Sequence, residues 1–278
     1  MDRETRNFAV AIGIIAVIVV GGYAALVAYT GSTLPFSIVV SSSMQHDNDR
    51  SEIGVIDTGD IVVVADPDKV EIRSYVAGYD SGYSSFGEYG SVIIYDRGSG
   101  NPVIHRAIVW IDYDESTGTW YSDELAETSV NWYCLLSDGV TRSTDASNLR
   151  GTLFIEIGGI YTGINLDNVA VKGSGYLTKG DNSVTNSRFD QDSGIVSYLI
   201  SEDKIVSVAV AEIPWLGIIK LVMNGSSYVD RVPNSLPSLL MAIVLVFSVI
   251  VLIDAVSLFR YTKEKTECIE SRLKWRRG

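Results

Sequence analysis

The chain has 278 residues, with 22 basic and 34 acidic side chains, and its formal net charge is −12. Proteins that bind nucleic acid need a basic face for the phosphates, so this excess of acid argues against a nucleic-acid partner. Hydrophobic residues make up 46% of the chain. That content and length allow a sizeable core and exclude a disordered or fibrous protein.

Two long apolar segments predict membrane helices. Residues 8–29 contain no charged side chain, and residues 236–259 contain one, Asp254, near the C-terminal end. At about 1.5 Å per residue, each reaches about 33 Å or slightly more, enough to cross a bilayer core. The apolar core of a cleaved signal peptide is only about 7–15 residues, so we interpret the first segment as a retained anchor. Core helices of a soluble protein are the alternative, which this length disfavours.

The distribution of Lys and Arg predicts the orientation of both helices. Residues 1–7 carry Arg3 and Arg6, and residues 260–278 form a basic tail. Because basic flanks stay in the cytoplasm, we expect both termini there and a two-span protein of the cell membrane. Residues 30–235 would then lie outside, where 28 acidic and 13 basic residues give a net charge of −15. Contact between the basic tail and anionic lipid headgroups is expected.

The segment between the two helices has the pattern of a β domain. Short runs rich in Val, Ile and Tyr alternate with Gly, Asp, Asn and Ser, and we predict a mostly antiparallel sheet. The predicted strands cover residues 61–64, 91–95, 103–111, 153–157 and 205–213.

Three further segments of this domain are predicted to lie outside its main sheet. Residues 74–90 read as a Gly/Ser/Tyr loop and an insertion, and residues 112–150 as a β-rich or loop-rich excursion. Residues 226–237 read as a linker into the second membrane helix.

Cysteine and histidine usage indicates no metal and no cofactor. Cys134 is expected outside and Cys268 inside, so the two cannot form a disulfide within one chain. The two histidines, His46 and His105, have no spacing typical of a zinc site.

Three features of the outer segment could carry chemistry. Ser41-Ser42-Ser43-Met44 follows a β-prone run, His105 lies within an apolar strand, and Asp181 and Asp190 follow in a Gly-Asp-Asn turn and its neighbourhood. Each has an ordinary structural interpretation, as a solvated linker, a structural histidine and a turn. Together they supply a hydroxyl, an imidazole that titrates near neutrality and a carboxylate, as in a serine triad.

The order of four short motifs resembles type I signal peptidase. They are Ser41-x-Ser43-Met44 after a membrane anchor, Gly59-Asp60-Ile61-Val62, Ile104-His105-Arg106 and Thr178-Lys179-Gly180-Asp181-Asn182. The histidine in the third motif resembles the archaeal and endoplasmic-reticulum branch, since the bacterial branch carries lysine there. Residues 213–217, Ile-Pro-Trp-Leu-Gly, also resemble the end of the archaeal enzymes. The resemblance covers neither residues 74–90 nor residues 112–150.

The resemblance implies a role for each matching residue. Ser43 matches the nucleophile and His105 the general base, while the Ser43 N–H and a hydroxyl, that of Ser41 or Ser42, would bind the oxyanion. Asp181 matches the first family aspartate. The second normally lies six residues later, where this chain has Ser187. We therefore assign Asp190, nine residues after Asp181, to orient the histidine, with Asp181 as the alternative.

His46 is a second departure from the family pattern, because it stands where Pro or an acidic residue followed by Pro is usual. It could be a competing base, although a solvated loop residue is the simpler interpretation.

The implied function is a membrane-bound serine endopeptidase with a signal-peptidase-like antiparallel β domain. Its partners would be signal-peptide-bearing preproteins, the lipid bilayer and an export translocon. A non-enzymatic, membrane-tethered β domain acting at the surface or in assembly has the same helices, strands and charge. A serine protease with an unrelated substrate is a further alternative.

Overall fold

The computed structural model describes residues 3–47, 51–98, 100–223, 225 and 235–275. Its α-helices are α1 (Arg3–Thr30), α2 (Tyr75–Ser81), α3 (Asp123–Ala126), α4 (Asp190–Ser193), α5 (Ile218–Met223) and α6 (Ser235–Trp275). Short 3₁₀ helices cover Pro67–Lys69, Leu166–Asn168 and Glu202–Lys204.

The terminal helices α1 and α6 contain segments that are long and apolar enough to cross a membrane. These segments are Thr5–Thr30 and Ser235–Lys263, and their most apolar windows are entirely unburied. A core helix of a soluble protein would bury such a window, so its exposure argues against that alternative. Helix α6 starts at Ser235, which places the last residues of the predicted 226–237 linker in the helix; residues 226–234 lie outside the described residues.

The strands lie between these two helices. They are β1 (Phe36–Ile38), β2 (Ile61–Ala65), β3 (Ser84–Ser85), β4 (Glu88–Tyr89), β5 (Val92–Tyr95), β6 (Val103–Asp114), β7 (Thr119–Tyr121), β8 (Trp132–Leu135), β9 (Arg142–Ser143), β10 (Thr152–Ile157), β11 (Ile160–Asn165), β12 (Gly175–Lys179) and β13 (Ile205–Ile213). The five runs predicted as strands correspond to β2, β5, β6, β10 and β13.

A seven-stranded antiparallel sheet forms the centre of the domain. Its order is β1-β2-β13-β5-β6-β12, with β7 pairing to the far end of the long strand β6. A smaller sheet, β11-β10-β8-β9, packs its apolar face toward the first, and a shared cluster of buried residues lies between them. The prediction of a mostly antiparallel β protein is confirmed.

The prediction of a plain loop over residues 74–90 is wrong. The segment contains helix α2 and the β3–β4 hairpin. Ser74 caps α2 because its Oγ accepts a hydrogen bond from the Ala77 N–H (3.0 Å), and Gly82 ends the helix in the left-handed region. These capping residues are small and polar, which made the segment look like a loop. Residues 112–150 contain β7, α3, β8 and β9 and are β-rich, as predicted, but they do not lie wholly outside the main sheet, because β7 pairs with β6.

The segment that carries the three serines is held against the sheet on its N-terminal side. Val39 donates its N–H to the Asp60 carbonyl (3.0 Å) and its own carbonyl accepts from the Gly59 N–H (2.9 Å), which continues the β1–β2 pairing. Met44, directly after Ser43, is fully buried in a cluster with Val62, Val92 and other residues of one sheet face. Ser43 therefore lies between two anchored positions.

Replacing Met44 by Ala tests this anchor. Truncation of a fully buried Met removes apolar contacts and leaves a cavity, so we expect the free energy of unfolding to fall by about 2–5 kcal/mol. The control is Met223→Ala at a side chain that is 81% exposed, for which a change below about 0.5 kcal/mol is expected. Denaturant unfolding of the detergent-solubilised full chain measures both, and equal effects of the two changes would contradict the packing described here.

Candidate active site

Ser41, Ser43 and His105 line one cavity of about 750 Å³. One wall is the segment from Ser37 to Ser43, which includes the last residues of the edge strand β1. The start of β6 supplies His105 on the other wall, and Lys220 of α5 is also part of the lining. The hydroxyl and the imidazole predicted to act together are therefore at the same opening.

The loop around Ser43 is fixed by the turn that follows β12. Asn182 donates its backbone N–H to the Ser43 carbonyl (3.0 Å) and its side-chain Nδ2–H to the Ser42 carbonyl (2.8 Å). The preceding Gly180 must be a glycine, because a Cβ there would lie 2.5 Å from the Ser43 carbonyl oxygen. The Gly-Asp-Asn turn thus holds the serine loop in place by direct backbone contact.

The hydroxyls of Ser41 and Ser43 face each other. Their Oγ atoms are 3.3 Å apart, within hydrogen-bond distance, and Ser43 is partly buried. Of the residues expected to bind an oxyanion, Ser41 is next to Ser43 in the cavity wall. Ser42 is not part of that wall, and its carbonyl accepts hydrogen bonds from the Asn182 side chain (2.8 Å) and the Gln45 N–H (3.2 Å).

His105 and Asp190 form a buried pair. The His105 Nδ1 atom lies 2.7 Å from Asp190 Oδ2, and the exposed fractions of the two side chains are 3% and 0%. An ionised carboxylate can only accept, so Nδ1 carries the hydrogen and donates it. Of the two ring nitrogens, this leaves Nε2 able to exchange a proton elsewhere.

The environment of Asp190 keeps it ionised. Burial opposes the charge, but the charge of His105 and the hydrogen bonds from His105, Thr178 and Tyr95 outweigh it and lower the pKa of Asp190. The Tyr95 phenol donates to the same Oδ2 at 2.7 Å. Asp190 reaches this position as the first residue of α4, and Ile195 and Val196 donate their N–H groups back to its carbonyl.

Asp181 lies in a different environment. Arg106 binds it with two charge-assisted hydrogen bonds, from Nε (2.8 Å) and Nη2 (2.6 Å). His46 Nε2 is 3.3 Å from Asp181 Oδ2. Burial opposes ionisation of Asp181, yet the Arg106 charge and the hydrogen bonds of His46 and Arg106 hold its pKa well below the usual range. The structure therefore places Asp181 with Arg106 and His46, away from His105.

Arg106 connects this carboxylate to the inserted segment. The guanidinium is fully buried, and its Nη1 donates to the carbonyls of Tyr89 (3.1 Å) and Gly90 (2.8 Å). His46 lines a second cavity, of about 320 Å³, together with Lys179 and Asp181. His46 is thus partly exposed, as expected of a loop residue, but it contacts the Asp181 carboxylate and does not line the cavity of Ser43.

Four of the predicted site residues are brought together: Ser41, Ser43, His105 and Asp190. Asp181 is paired with Arg106 instead. Sequence reasoning assigned no role to Asn182, Arg106 or Tyr95, although the first two lie within the quoted motifs. One feature of the sequence could have pointed to Tyr95: it is a polar phenol at the end of the apolar run Val92-Ile93-Ile94.

Within the described ranges, no group of three or more His, Cys, Asp or Glu side chains could hold a metal ion. Cys134 is buried as a free thiol.

No protein-family model and no curated protein matches this chain.

Replacing Arg106 by Met tests the buried pair. Removing one partner of such a pair leaves an uncompensated buried carboxylate, so we expect a loss of about 3–5 kcal/mol of unfolding free energy. Arg73→Met is the matched control, because Arg73 pairs with Glu71 at the surface (2.6 Å), where solvent screens the two charges, so a much smaller loss is expected. Thermal or denaturant unfolding compares them, and a small effect at Arg106 would show that the pair is not needed for stability.

Proposed function

We propose that this chain is a membrane-anchored serine endopeptidase of the signal-peptidase type, which removes signal peptides from exported preproteins. The observation that carries the proposal is that Ser43 and His105 line one cavity while His105 Nδ1 is bound to the buried Asp190. The nucleophile, the base and the carboxylate that orients the base are therefore all present, as acyl transfer by a serine triad requires. The signal-peptidase-like fold, the archaeal or endoplasmic-reticulum branch and the catalytic roles are all part of this proposal.

The proton path follows from the His105–Asp190 hydrogen bond. With Nδ1–H donated to Asp190, Nε2 takes the proton of Ser43 as Oγ attacks the scissile carbonyl. The carboxylate stabilises the imidazolium that forms, and the imidazolium gives its proton to the leaving amine. The leaving amine is the N-terminus of the mature protein. Water then attacks the acyl-Ser43 ester with His105 again as the base, which releases the signal peptide and restores the enzyme.

The oxyanion of the tetrahedral intermediate requires donors beside Ser43. The Ser43 N–H and the Ser41 hydroxyl, whose Oγ is 3.3 Å from Ser43 Oγ, are the groups we assign to it. A single donor of this kind is typically worth about 3 kcal/mol of barrier. Anchoring by Asn182 keeps the loop rigid, so the donors need no reorganisation during the reaction.

The cavity wall suits an extended peptide. Strand β1 is an edge of the sheet, and the residues from Ser37 to Val40 line the cavity next to Ser43. An edge strand can add a peptide strand through its free backbone groups, which is β-augmentation. The lining also contains apolar side chains such as Ile94, Ile104 and Leu221, which are compatible with small substrate residues beside the cleaved bond, and polar or charged ones such as Asn186 and Lys220.

Topology supports a substrate at the membrane. Ser43 follows the end of α1 at Thr30 by 13 residues, so the cavity is tethered near one bilayer surface. The basic flanks favour an orientation with both termini in the cytoplasm and the domain outside. An exported preprotein that leaves the translocon presents its cleavage junction at the same height.

Cleavage of a preprotein by the purified full chain tests the proposal. In detergent or proteoliposomes, Ser43→Ala and His105→Ala should each lower the rate by about 10³-fold or more, and the double variant should lose little further, because the two act as a unit. Asp190→Ala should lower kcat by about 10²-fold or more, since the imidazole loses its orienting group. N-terminal sequencing of the product should locate the cut at a small-x-small junction.

Ser116→Ala, in the turn between β6 and β7, is the control and should cleave at the wild-type rate. Wild-type cleavage by Ser43→Ala would refute the enzyme and favour a non-enzymatic β domain. Cleavage that depends on Ser43 but occurs away from small-x-small junctions would instead indicate a serine protease with another substrate.

A further inference from the structure

Tyr95 occupies a position that the proposed mechanism does not use. It is the last residue of β5, its side chain is fully buried, and its hydroxyl donates a 2.7 Å hydrogen bond to Asp190 Oδ2. The same oxygen accepts the 2.7 Å bond from His105 Nδ1. We propose that Tyr95 is a positioning residue that acts through Asp190, holding the carboxylate in the orientation in which it binds His105. This inference rests on the catalytic roles proposed above.

The sheet register explains how one carboxylate oxygen is shared. In the β5–β6 pairing, Ile93 is opposite His105 and Tyr95 is opposite Val103. Because alternate residues of a strand face the same side, Tyr95 and His105 project from the same face of the sheet. Asp190 comes from the separate helix α4, and its carboxylate can rotate about the Cβ–Cγ bond. The Tyr95 hydroxyl attaches that carboxylate to the sheet that also carries the imidazole.

The Tyr95 phenol can donate its hydrogen bond to Asp190 at any physiological pH. Burial first, and then the Asp190 charge, raise the pKa of Tyr95, so the hydroxyl stays protonated at physiological pH. The ionisable groups that act on Asp190 are His105 on β6, Tyr95 on β5 and Lys179 on β12. Of these, only Tyr95 is a neutral donor at every working pH. It therefore stabilises the carboxylate in both protonation states of the imidazole.

Removing the hydroxyl has two consequences for Asp190. The carboxylate loses a restraint on its rotation, and it loses one of the hydrogen bonds that lower its pKa. Without that bond the carboxylate charge acts more strongly on His105 and favours the imidazolium, the form that cannot take the Ser43 proton. Activity should therefore be lost at a higher pH on the acidic side of the profile.

Tyr95→Phe in the full chain is the test, with preprotein cleavage as the assay. We expect kcat to fall by about tenfold with KM within about twofold, because the substrate does not touch Tyr95. The acidic limb of the profile of kcat/KM should move to higher pH. Tyr176→Phe is the matched control: Tyr176 is buried in the same cluster, but its hydroxyl bonds the Ile72 carbonyl at 3.4 Å and not Asp190.

A double variant separates positioning from a purely structural role. If Tyr95 acts through Asp190, Tyr95→Phe should cost little further activity in an Asp190→Ala background, and the two losses should not add. Additive losses, or an unchanged pH profile with a raised KM, would overturn the inference.

The effect of Tyr95 on the His105–Asp190 pair can also be measured without any substrate. The chain contains only two histidines, His46 and His105, so ¹⁵N-histidine labelling gives two resolvable ring spin systems. Tyr95→Phe should shift the Nδ1–H resonance of His105, and Tyr176→Phe should leave it in place. An unshifted His105 signal in Tyr95→Phe overturns the inference even if cleavage depends on Ser43. A chain that cleaves no preprotein refutes the proposed function, and the His105 signal then still decides whether Tyr95 acts on the pair.

Discussion

A carboxylate with no exposed surface must be compensated by its neighbours, and in this protein that constraint organises the domain. Asp190 is compensated by the imidazole of β6 and the phenol of β5, both bound to the same oxygen. These strands are neighbours in the middle of the main sheet, whereas Asp190 starts a short helix after β12. The buried hydrogen bonds therefore fix α4 against the sheet. They also fix the orientation of the imidazole, because its Nδ1 is bound to Asp190.

The two carboxylates of the Gly-Asp-Asn region have different roles because their surroundings differ. Both are buried and both have lowered pKa values. Asp181 is compensated by a guanidinium that cannot give up its charge, so it forms a permanent ion pair that ties the turn after β12 to β6. Asp190 is compensated by an imidazole and a neutral phenol, and an imidazole can change its charge during a reaction. Only the second arrangement is suited to moving a proton.

The apolar patterns were sufficient to predict most of the fold. Two long apolar segments indicated the terminal helices, and short runs rich in Val, Ile and Tyr indicated strands such as β6 and β13, because β-branched and aromatic side chains pack well on a sheet. Residues 74–90 were misread because short, polar capping residues look like a loop until their hydrogen bonds are known. The length of α6, which continues to Trp275 beyond the apolar segment, was also not predicted.

The site was predictable in part for a similar reason. Ser43 and His105 could be named from short motifs, and Asp190 could be proposed as the acid nearest to the position where the family resemblance expects a second aspartate. The partners of Asp181 could not, because Arg106 is 75 residues away along the chain and meets it only through the β6–β12 pairing. Tyr95 was missed because its role depends on which face of β5 it occupies relative to a helix formed 95 residues later.

The central claim is that residue 43 and His105 meet in one cavity, and thiol reactivity tests it without a substrate. In a chain with Cys134 and Cys268 replaced by alanine, Ser43→Cys introduces a single thiol, and iodoacetamide alkylation between pH 6 and 7, as mapped by mass spectrometry, reports its thiolate fraction. A nearby imidazole promotes the thiolate. We predict that adding His105→Ala slows alkylation of residue 43 by about tenfold or more. Equal rates with and without His105 would show that the two side chains do not meet and would contradict the account.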